Sequence, residues 1–436
     1  MKSKVDALII AYWFPPASNQ TWRSYHFFRA LQNQFQNIKI ISTSNRKYLP
    51  EKDYKDTNKF ITTASTIDYR LFTYFIKKEI KHVDERFKPK WAFKIYNILN
   101  SFPFNLLAGE GGLIYIITGF LKGLKLLNKN DKSLIFSTFR PYSDHAIAFL
   151  LKLFRPNCFW IADFRDLHLD PRLNETIFPI LQAWVTRKIL SKADVVTTVS
   201  QGLAIHLHPF HHQVAVLRNG IGNHSSLVTV DPKHIPNDKF TIAYTGSMFR
   251  ELRKPELLLE AITELIEEQR IISSKLQIIY AGKDTATWQR YLKKYDILSN
   301  FNSLGTISHE ATIRLQSIAH INLLLTYASP ELKGNATGKL YEYLAARRPI
   351  ILLVNGCKDE ELEEIFEETG AGLVAYDSLN HKELVKEFVL KKYIEWLETG
   401  EVSPSISPEK LETFKWDYMM KHFLDRYYFK TLQVGA

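Results

Sequence analysis

ATGKLYEYLAARRPIILLV, residues 336–354, reads as a short loop, a two-turn helix and a buried strand. A loop entering a helix leaves backbone N–H groups without intrahelical acceptors at the positive end of the helix dipole, an arrangement that suits a phosphate. Lys339 adds positive charge in the first turn. Glu342 follows one turn later on roughly the same face, an acceptor able to hold a pair of sugar hydroxyls. One reading is therefore a grip on a nucleotide diphosphate, with diphosphate at the helix start and ribose beside it. The other is an ordinary αβ unit with a solvated lysine and glutamate.

The same alternation extends outward over most of the 436 residues. In the first half, apolar strand candidates are Asp6–Tyr12, Ile38–Ser42, Leu134–Thr138, Phe159–Asp163, Asp194–Val199 and Val214–Leu217, with helical periodicity between them, as in Ser24–Gln34 and Ser143–Phe154. Near-continuous apolar strands between helices indicate a parallel sheet covered on both faces. The polar stretch Asn219 to Lys239, with Gly220, Gly222, Pro232 and Pro236, interrupts the pattern and reads as a linker. A second series follows: Phe240–Thr245, Leu276–Ala281, Ile321–Thr326, Ile350–Val354 and Gly372–Tyr376. The aromatic stretch Phe414–Lys430 reads as a last helix in need of an apolar dock. The expectation is an α/β chain of two doubly wound Rossmann-like domains, residues 1–225 and 226–412, with a terminal helix over 413–436. Such sheets bind ligands at the carboxyl ends of their strands.

Composition narrows the partners. A formal charge of +11 favours anions such as nucleotide diphosphates or an anionic membrane surface; no local pattern singles out nucleic acid. Residues 69–127 interleave aromatic and aliphatic residues with lysines and read either as a membrane-surface element or as a helical layer with solvated lysines. The N-terminal MKSKVDALIIAYWF reads as a first strand, and no apolar run is long enough for a spanning helix. Cys158 and Cys357 stand far apart in apolar surroundings and suit reduced thiols in a cytosolic protein.

The loops after the strands hold the remaining candidates. After the first comes YWFPPASNQTWRSYHFFRAL, a polar loop with Asn19 and Gln20 leading to Arg23 at a helix start. After Leu134–Thr138, SDH places His145 in a helical first turn, a hydrogen-bond donor or base beside Asp144. FWIADFRDLHLDP, residues 159–171, crowds Asp163, Asp166 and Asp170 at a strand end, where carboxylates suit substrate hydroxyls, orientation of His145, or pairing with Arg165. HLHPFHH, residues 206–212, reads as a surface loop and not as a metal site. In the second half, Gly246 and Ser247 form a turn after a strand, and Arg250, Arg253 and Lys254 precede an amphipathic helix; the glycine permits close backbone approach and the cations suit a diphosphate. Gly334 to Gly338-Lys339 is not a P-loop: three residues separate the glycines and Leu340 follows the lysine.

In order and spacing, AYWFPP with Arg23, SDH, IADFRD, ADVVTTVS, LRNGI, AYTGS with its basic cluster, and ATGKLYEYLAARRPI resemble the retaining glycosyltransferases of family 4, over nearly the whole chain. The resemblance implies GT-B architecture: two Rossmann-like domains facing across a cleft, the C-terminal helix returning to the N-terminal domain. It implies a metal-independent transferase that moves a sugar from a nucleotide diphosphate donor, UDP or GDP, to a glycan or lipid-linked acceptor. Surface polysaccharide or glycolipid assembly on the cytoplasmic side, peripheral to the plasma membrane, is the implied setting. No cofactor beyond the nucleotide-sugar co-substrate is implied. Glu342 would hold the ribose; Gly246, Ser247, Arg250, Lys254, Thr337, Gly338 and Lys339 would surround the diphosphate. His145, with Asp163 and Asp166, would lie near the transferred sugar, and Asn19, Gln20 and Arg23 on the acceptor side. Three positions depart from the pattern: Gly334 replaces a glutamate that would precede Glu342 with seven residues between them, the first loop is glycine-poor, and His168 replaces a tryptophan. The rival readings are a GT-B nucleotide-sugar epimerase and a degenerate, non-catalytic carbohydrate- or nucleotide-binding protein.

Overall fold

A computed structural model describes residues 5–14, 22–44, 55–66, 98, 101–107, 111–169, 177–222, 238–248, 252–334 and 336–434. The chain forms two compact units. The first comprises residues 1–199, 203–218 and 419–436, and the second residues 200–202 and 219–418.

The first unit carries seven strands: β1 (Ala7–Ile10), β2 (Ile38–Thr43), β3 (Ile61–Ala64), β4 (Leu134–Phe139), β5 (Phe159–Phe164), β6 (Val195–Thr198) and β7 (Val214–Val216). Their order is β3-β2-β1-β4-β5-β6-β7, all parallel. The main helices are α1 (Trp22–Gln32), α2 (Leu113–Leu126), α3 (Ser143–Phe154), α4 (Pro179–Leu190) and α5 (Gln201–Leu207), the first two residues of α5 belonging to the second unit. β1, β4, β5 and β6 are buried at every position, which is why they read as apolar runs without alternation.

The second unit repeats the plan with β8 (Phe240–Thr245), β9 (Leu276–Ala281), β10 (Phe301–Ser303), β11 (Ile321–Ala328), β12 (Ile350–Gly356) and β13 (Gly372–Tyr376), in the parallel order β10-β9-β8-β11-β12-β13. Its helices include α6 (Glu256–Glu267), α7 (Thr285–Lys294), α8 (His309–Ile318), α9 (Gly338–Ala346), α10 (Glu360–Thr369) and α11 (Lys382–Thr399). In each sheet the winding reverses between two central neighbours, β1 and β4 or β8 and β11. The loops there diverge and leave a crevice at the carboxyl ends.

The chain's end belongs to the first unit. Helix α12 (Trp416–Leu424) leads to Tyr428, whose hydroxyl donates to the Lys132 carbonyl at 2.6 Å and whose ring meets Phe35 and Phe159 edge-on at 5.7 and 5.4 Å. This is the apolar dock that the aromatic stretch requires. Among the described residues, no helix is long and apolar enough to cross a membrane.

Candidate functional site

Gly246 ends β8 beside the reversal point, and the second unit's candidates gather there. Its φ of 147° lies in a region L side chains rarely adopt, and a Cβ built on it would stand 2.6 Å from Lys339 Cε and 3.0 Å from Nζ. The lysine thus lies directly over the glycine backbone. Lys339 is half-buried, and its Nζ has no hydrogen-bond or ion-pair partner among the described residues. Burial lowers its pKa; Glu342 opposes the shift and the nearby charge of Arg253 adds to it. Two cations near one another form an anion-seeking corner.

Helix α9 opens onto the same place. Thr337 precedes it in extended conformation without a side-chain cap, and the space around Gly338 is open: a Cβ there would meet nothing within 4 Å. The Gly338 and Lys339 N–H groups have no acceptor among the described residues. The inner face, Leu340, Tyr341, Tyr343 and Leu344, is buried and anchors the helix. Tyr343 fixes it to β8, its hydroxyl accepting from the Thr245 N–H at 3.0 Å. Arg347 and Arg348 donate to the carbonyls of Ile406, Ser317 and Val402, and so support the fold and not a ligand.

Glu342 is held by a residue the sequence did not single out. Gln316, fully buried on α8, donates from Nε2 to Glu342 Oε2 at 3.1 Å and to Thr245 Oγ1 at 3.0 Å. One carboxylate oxygen is thereby oriented, and the other keeps its lone pairs for a ligand. Its polar side chain on an otherwise ordinary amphipathic helix was the only signal available. Ser247 contributes a carbonyl, which accepts from Tyr244 Oη at 2.8 Å and Arg253 Nη1 at 3.4 Å. Lys254 is exposed, its backbone N–H bound to Asn355 Oδ1 at 2.7 Å. Arg250, Asn19, Gln20 and Asp170 lie outside the described residues, as does all of 69–97 within the lysine-rich 69–127 stretch.

Gly334 has its own explanation. Its φ is 69°, and a Cβ would fall 2.1 Å from Glu361 Oε2. A glutamate at this position would be strained and would collide with Glu361, whose carboxylate accepts from the Gln201 N–H at 2.9 Å. The Gly334 N–H itself donates to Asp359 Oδ2 at 2.7 Å.

In the first unit, Arg23 and Asp163 are committed to each other. Nη2 lies 2.7 Å from Oδ1 and Nε 3.0 Å from Oδ2, with both side chains buried. Asp163 also accepts from Thr197 at 2.8 Å and Thr138 at 3.3 Å, and Arg23 donates to the Leu217 carbonyl at 2.8 Å. These contacts tie α1 to β5 and β7, and they occupy the atoms that the sequence reading assigned to a sugar or an acceptor. Asp166 is exposed beside Arg165, at 3.6 Å from Nε.

His145 behaves differently. It is fully buried, with Nδ1 2.8 Å from Ser137 Oγ. Ser137 also accepts from Trp160 Nε1 at 2.8 Å; in the tautomer where the Ser137 proton goes to Nδ1, the imidazole proton stands on Nε2. That N–H has no partner among the described residues. Burial pushes the His145 pKa down to about 3, so the ring is a neutral donor at physiological pH, not a base awaiting a proton. Next to it, buried Asp144 accepts from the Tyr12 N–H and from Tyr115 Oη, each at 2.9 Å, and burial raises its carboxyl to about 7. In the His-rich loop, both nitrogens of His211 sit on backbone carbonyls, Gln213 at 2.9 Å and Ala193 at 3.2 Å. No cluster of three His, Cys, Asp or Glu groups placed to hold a metal occurs among the described residues.

No family model matches the chain, and no curated protein matches its sequence. Solved structures match it in fold. A sucrose-phosphate synthase from Thermosynechococcus elongatus superposes with a TM-score of 0.56 at 13% identity, over 99% of this chain and 100% of that one. The lipopolysaccharide outer core galactosyltransferase WaaB gives 0.53 at 13% identity, over 97% and 98%. A UDP-forming α,α-trehalose-phosphate synthase from Burkholderia vietnamiensis gives 0.56 at 10% identity, over 100% of both chains. The chain has the GT-B fold of glycosyltransferases: two parallel-sheet Rossmann-like domains and a C-terminal segment returned to the first.

Proposed function

We propose that the protein is a retaining glycosyltransferase of the family 4 type, moving a sugar from a nucleotide diphosphate donor to a glycan or lipid-linked acceptor. The observation that carries this reading is the corner made by Gly246, Lys339, Glu342 and the uncapped start of α9. As the glycosidic bond to the donor breaks, negative charge grows on the departing diphosphate. Lys339, Arg253 and the α9 N–H groups offset it without a divalent ion. Glu342, oriented by Gln316, accepts the two ribose hydroxyls. His145, neutral with its Nε2–H unpaired, donates a hydrogen bond to a hydroxyl of the transferred sugar. Arg23 and Asp163 support that unit from within. The chain's positive charge supports work at an anionic membrane surface, which suits the lipid-linked acceptor of this reading.

Incubation with a panel of nucleotide sugars and acceptor lipids tests this reading. Released nucleotide together with glycosylated acceptor is the expected result. Interconversion of the sugar without transfer would establish an epimerase, and binding without turnover on any donor–acceptor pair a non-catalytic binder, the reading that the loss of a glutamate at Gly334 favours.

A further inference from the structure

Helix α4 buries Ile189 and Leu190 at its end, but along its first two turns it presents polar side chains inward and apolar ones outward. The side chains it turns inward include Gln182 and Thr186, each met by a hydrogen bond: Gln182 Nε2 donates to the His168 carbonyl at 2.7 Å, and Tyr142 Oη to Thr186 Oγ1 at 2.7 Å. The side chains it turns outward are Ile180, 86% exposed, Leu181, and Trp184, 62% exposed, with Ile177 and Phe178 uncovered just before them. Positions 180, 181, 184 and 188 recur at helical spacing, so the exposed apolar side chains of the helix form one stripe that ends on Lys188. An amphipathic helix ordinarily turns such a stripe to the core; here the Gln182 amide N–H and the Thr186 hydroxyl are met by hydrogen bonds on the inner side, while the apolar stripe stays outside.

The surroundings define the occupant. No carboxylate occurs from Ile177 to Ala193, while Arg187, Lys188 and Lys192 are exposed; Asp194, the next acid, is held by Lys152 at 2.7 Å. Exposed apolar side chains also occur on the neighbouring helices. α4 packs on α3 and α3 on α2, and these expose Phe154, Ile117 and Leu121. An exposed apolar stripe with a tryptophan, beside cations and without a carboxylate, complements an anionic bilayer.

We propose that the outward face of α4 docks on an anionic lipid surface. Ile180, Leu181 and Trp184 enter the boundary between headgroups and acyl chains, and Lys188 and Lys192 lie among the headgroups. This deepens the membrane-surface part of the reading above and uses no residue of the donor corner, so the two fail separately.

The test is co-sedimentation of the full chain with phosphatidylcholine vesicles, with and without phosphatidylglycerol, over a salt series. Wild type should bind the anionic vesicles and lose binding as salt rises. The double variant Ile180→Asp with Trp184→Asp should bind at least ~10-fold more weakly. Lys188→Glu with Lys192→Glu should weaken binding and flatten the salt dependence. Both exposed pairs should leave thermal unfolding and nucleotide affinity unchanged. Absence of wild-type binding at low salt would overturn the proposal, as would equal binding by either double variant. So would a solution dimer that Trp184→Asp dissolves in a protein that ignores vesicles, which would make this face an interface between copies.

Discussion

Lys339 lies across the backbone of Gly246, with its Cε 2.6 Å from the place a Cβ would occupy. The glycine therefore serves two ends, a backbone conformation other residues avoid and the space in which the lysine rests. Gly246→Ala should displace Lys339 and cost about 1–3 kcal/mol of stability. Urea unfolding and calorimetric nucleotide titration should show both losses together.

Lys339→Met separates those effects. It removes a half-buried cation without a bonded partner, so the fold should be unharmed or slightly stabilised while nucleotide diphosphate affinity falls about 10-fold or more. A melt and a titration on the same preparation decide the matter. A destabilised variant with normal affinity would make Lys339 a packing residue.

Gln316→Leu should loosen Glu342 and remove one of the two side-chain partners of the Thr245 hydroxyl, the other being Tyr343 Oη at 3.1 Å. Donor affinity should fall severalfold, with the greater loss for nucleotides carrying both ribose hydroxyls than for their 2′-deoxy forms. Equal losses for the two would mean that Gln316 does not act through Glu342.

Arg23 and Asp163 are assigned to structure. Removing either partner strands a buried charge, so Arg23→Met and Asp163→Asn should each cost about 3–5 kcal/mol by urea unfolding. Asp166→Asn, at an exposed position, should stay within about 0.5 kcal/mol. Full stability with lost turnover in Asp163→Asn would instead place that carboxylate in the chemistry.

Buried histidines make the fold sensitive to acid. Burial depresses His145 to about 3, and His168 and His320 to about 4. His320 must stay unprotonated at Nδ1, which accepts from the Thr241 N–H at 2.8 Å. Their stabilisation is full above the ordinary histidine range and is lost as pH falls toward 4, on the order of 1–2 kcal/mol each by pH 5. Asp144 works in the opposite direction. With its carboxyl raised to about 7, its contribution is complete below the ordinary carboxylate range and is lost as pH rises through 7. Unfolding midpoints from pH 8 to 4.5 should fall on the acid side, less steeply in His320→Phe.

The central strands were legible because burial on both faces leaves only apolar residues to read. Phe240–Thr245, Leu276–Ala281 and Gly372–Tyr376 have the same limits in sequence and structure. The edge strands β3 and β10 were not legible: Thr62, Thr63 and Asn302 face partly to solvent, and three or four residues give too short a pattern. In the site, the glycine turn and the α9 start are local features, and the sequence displays them. Partnerships are not local. Arg23 and Asp163 stand 140 positions apart, and each looked available for a ligand until the fold joined them. Gln316 and Glu361 were missed for the same reason, since their roles exist only once α8 and α10 are packed.

The most direct measurement is a calorimetric titration of the full chain with UDP and with GDP, repeated on Glu342→Ala. Wild type should bind one of them, and Glu342→Ala should weaken that binding about 10–100-fold with the unfolding transition unchanged. No binding of either nucleotide, or binding indifferent to Glu342→Ala and Lys339→Met alike, would contradict the assignment of this corner as a donor site.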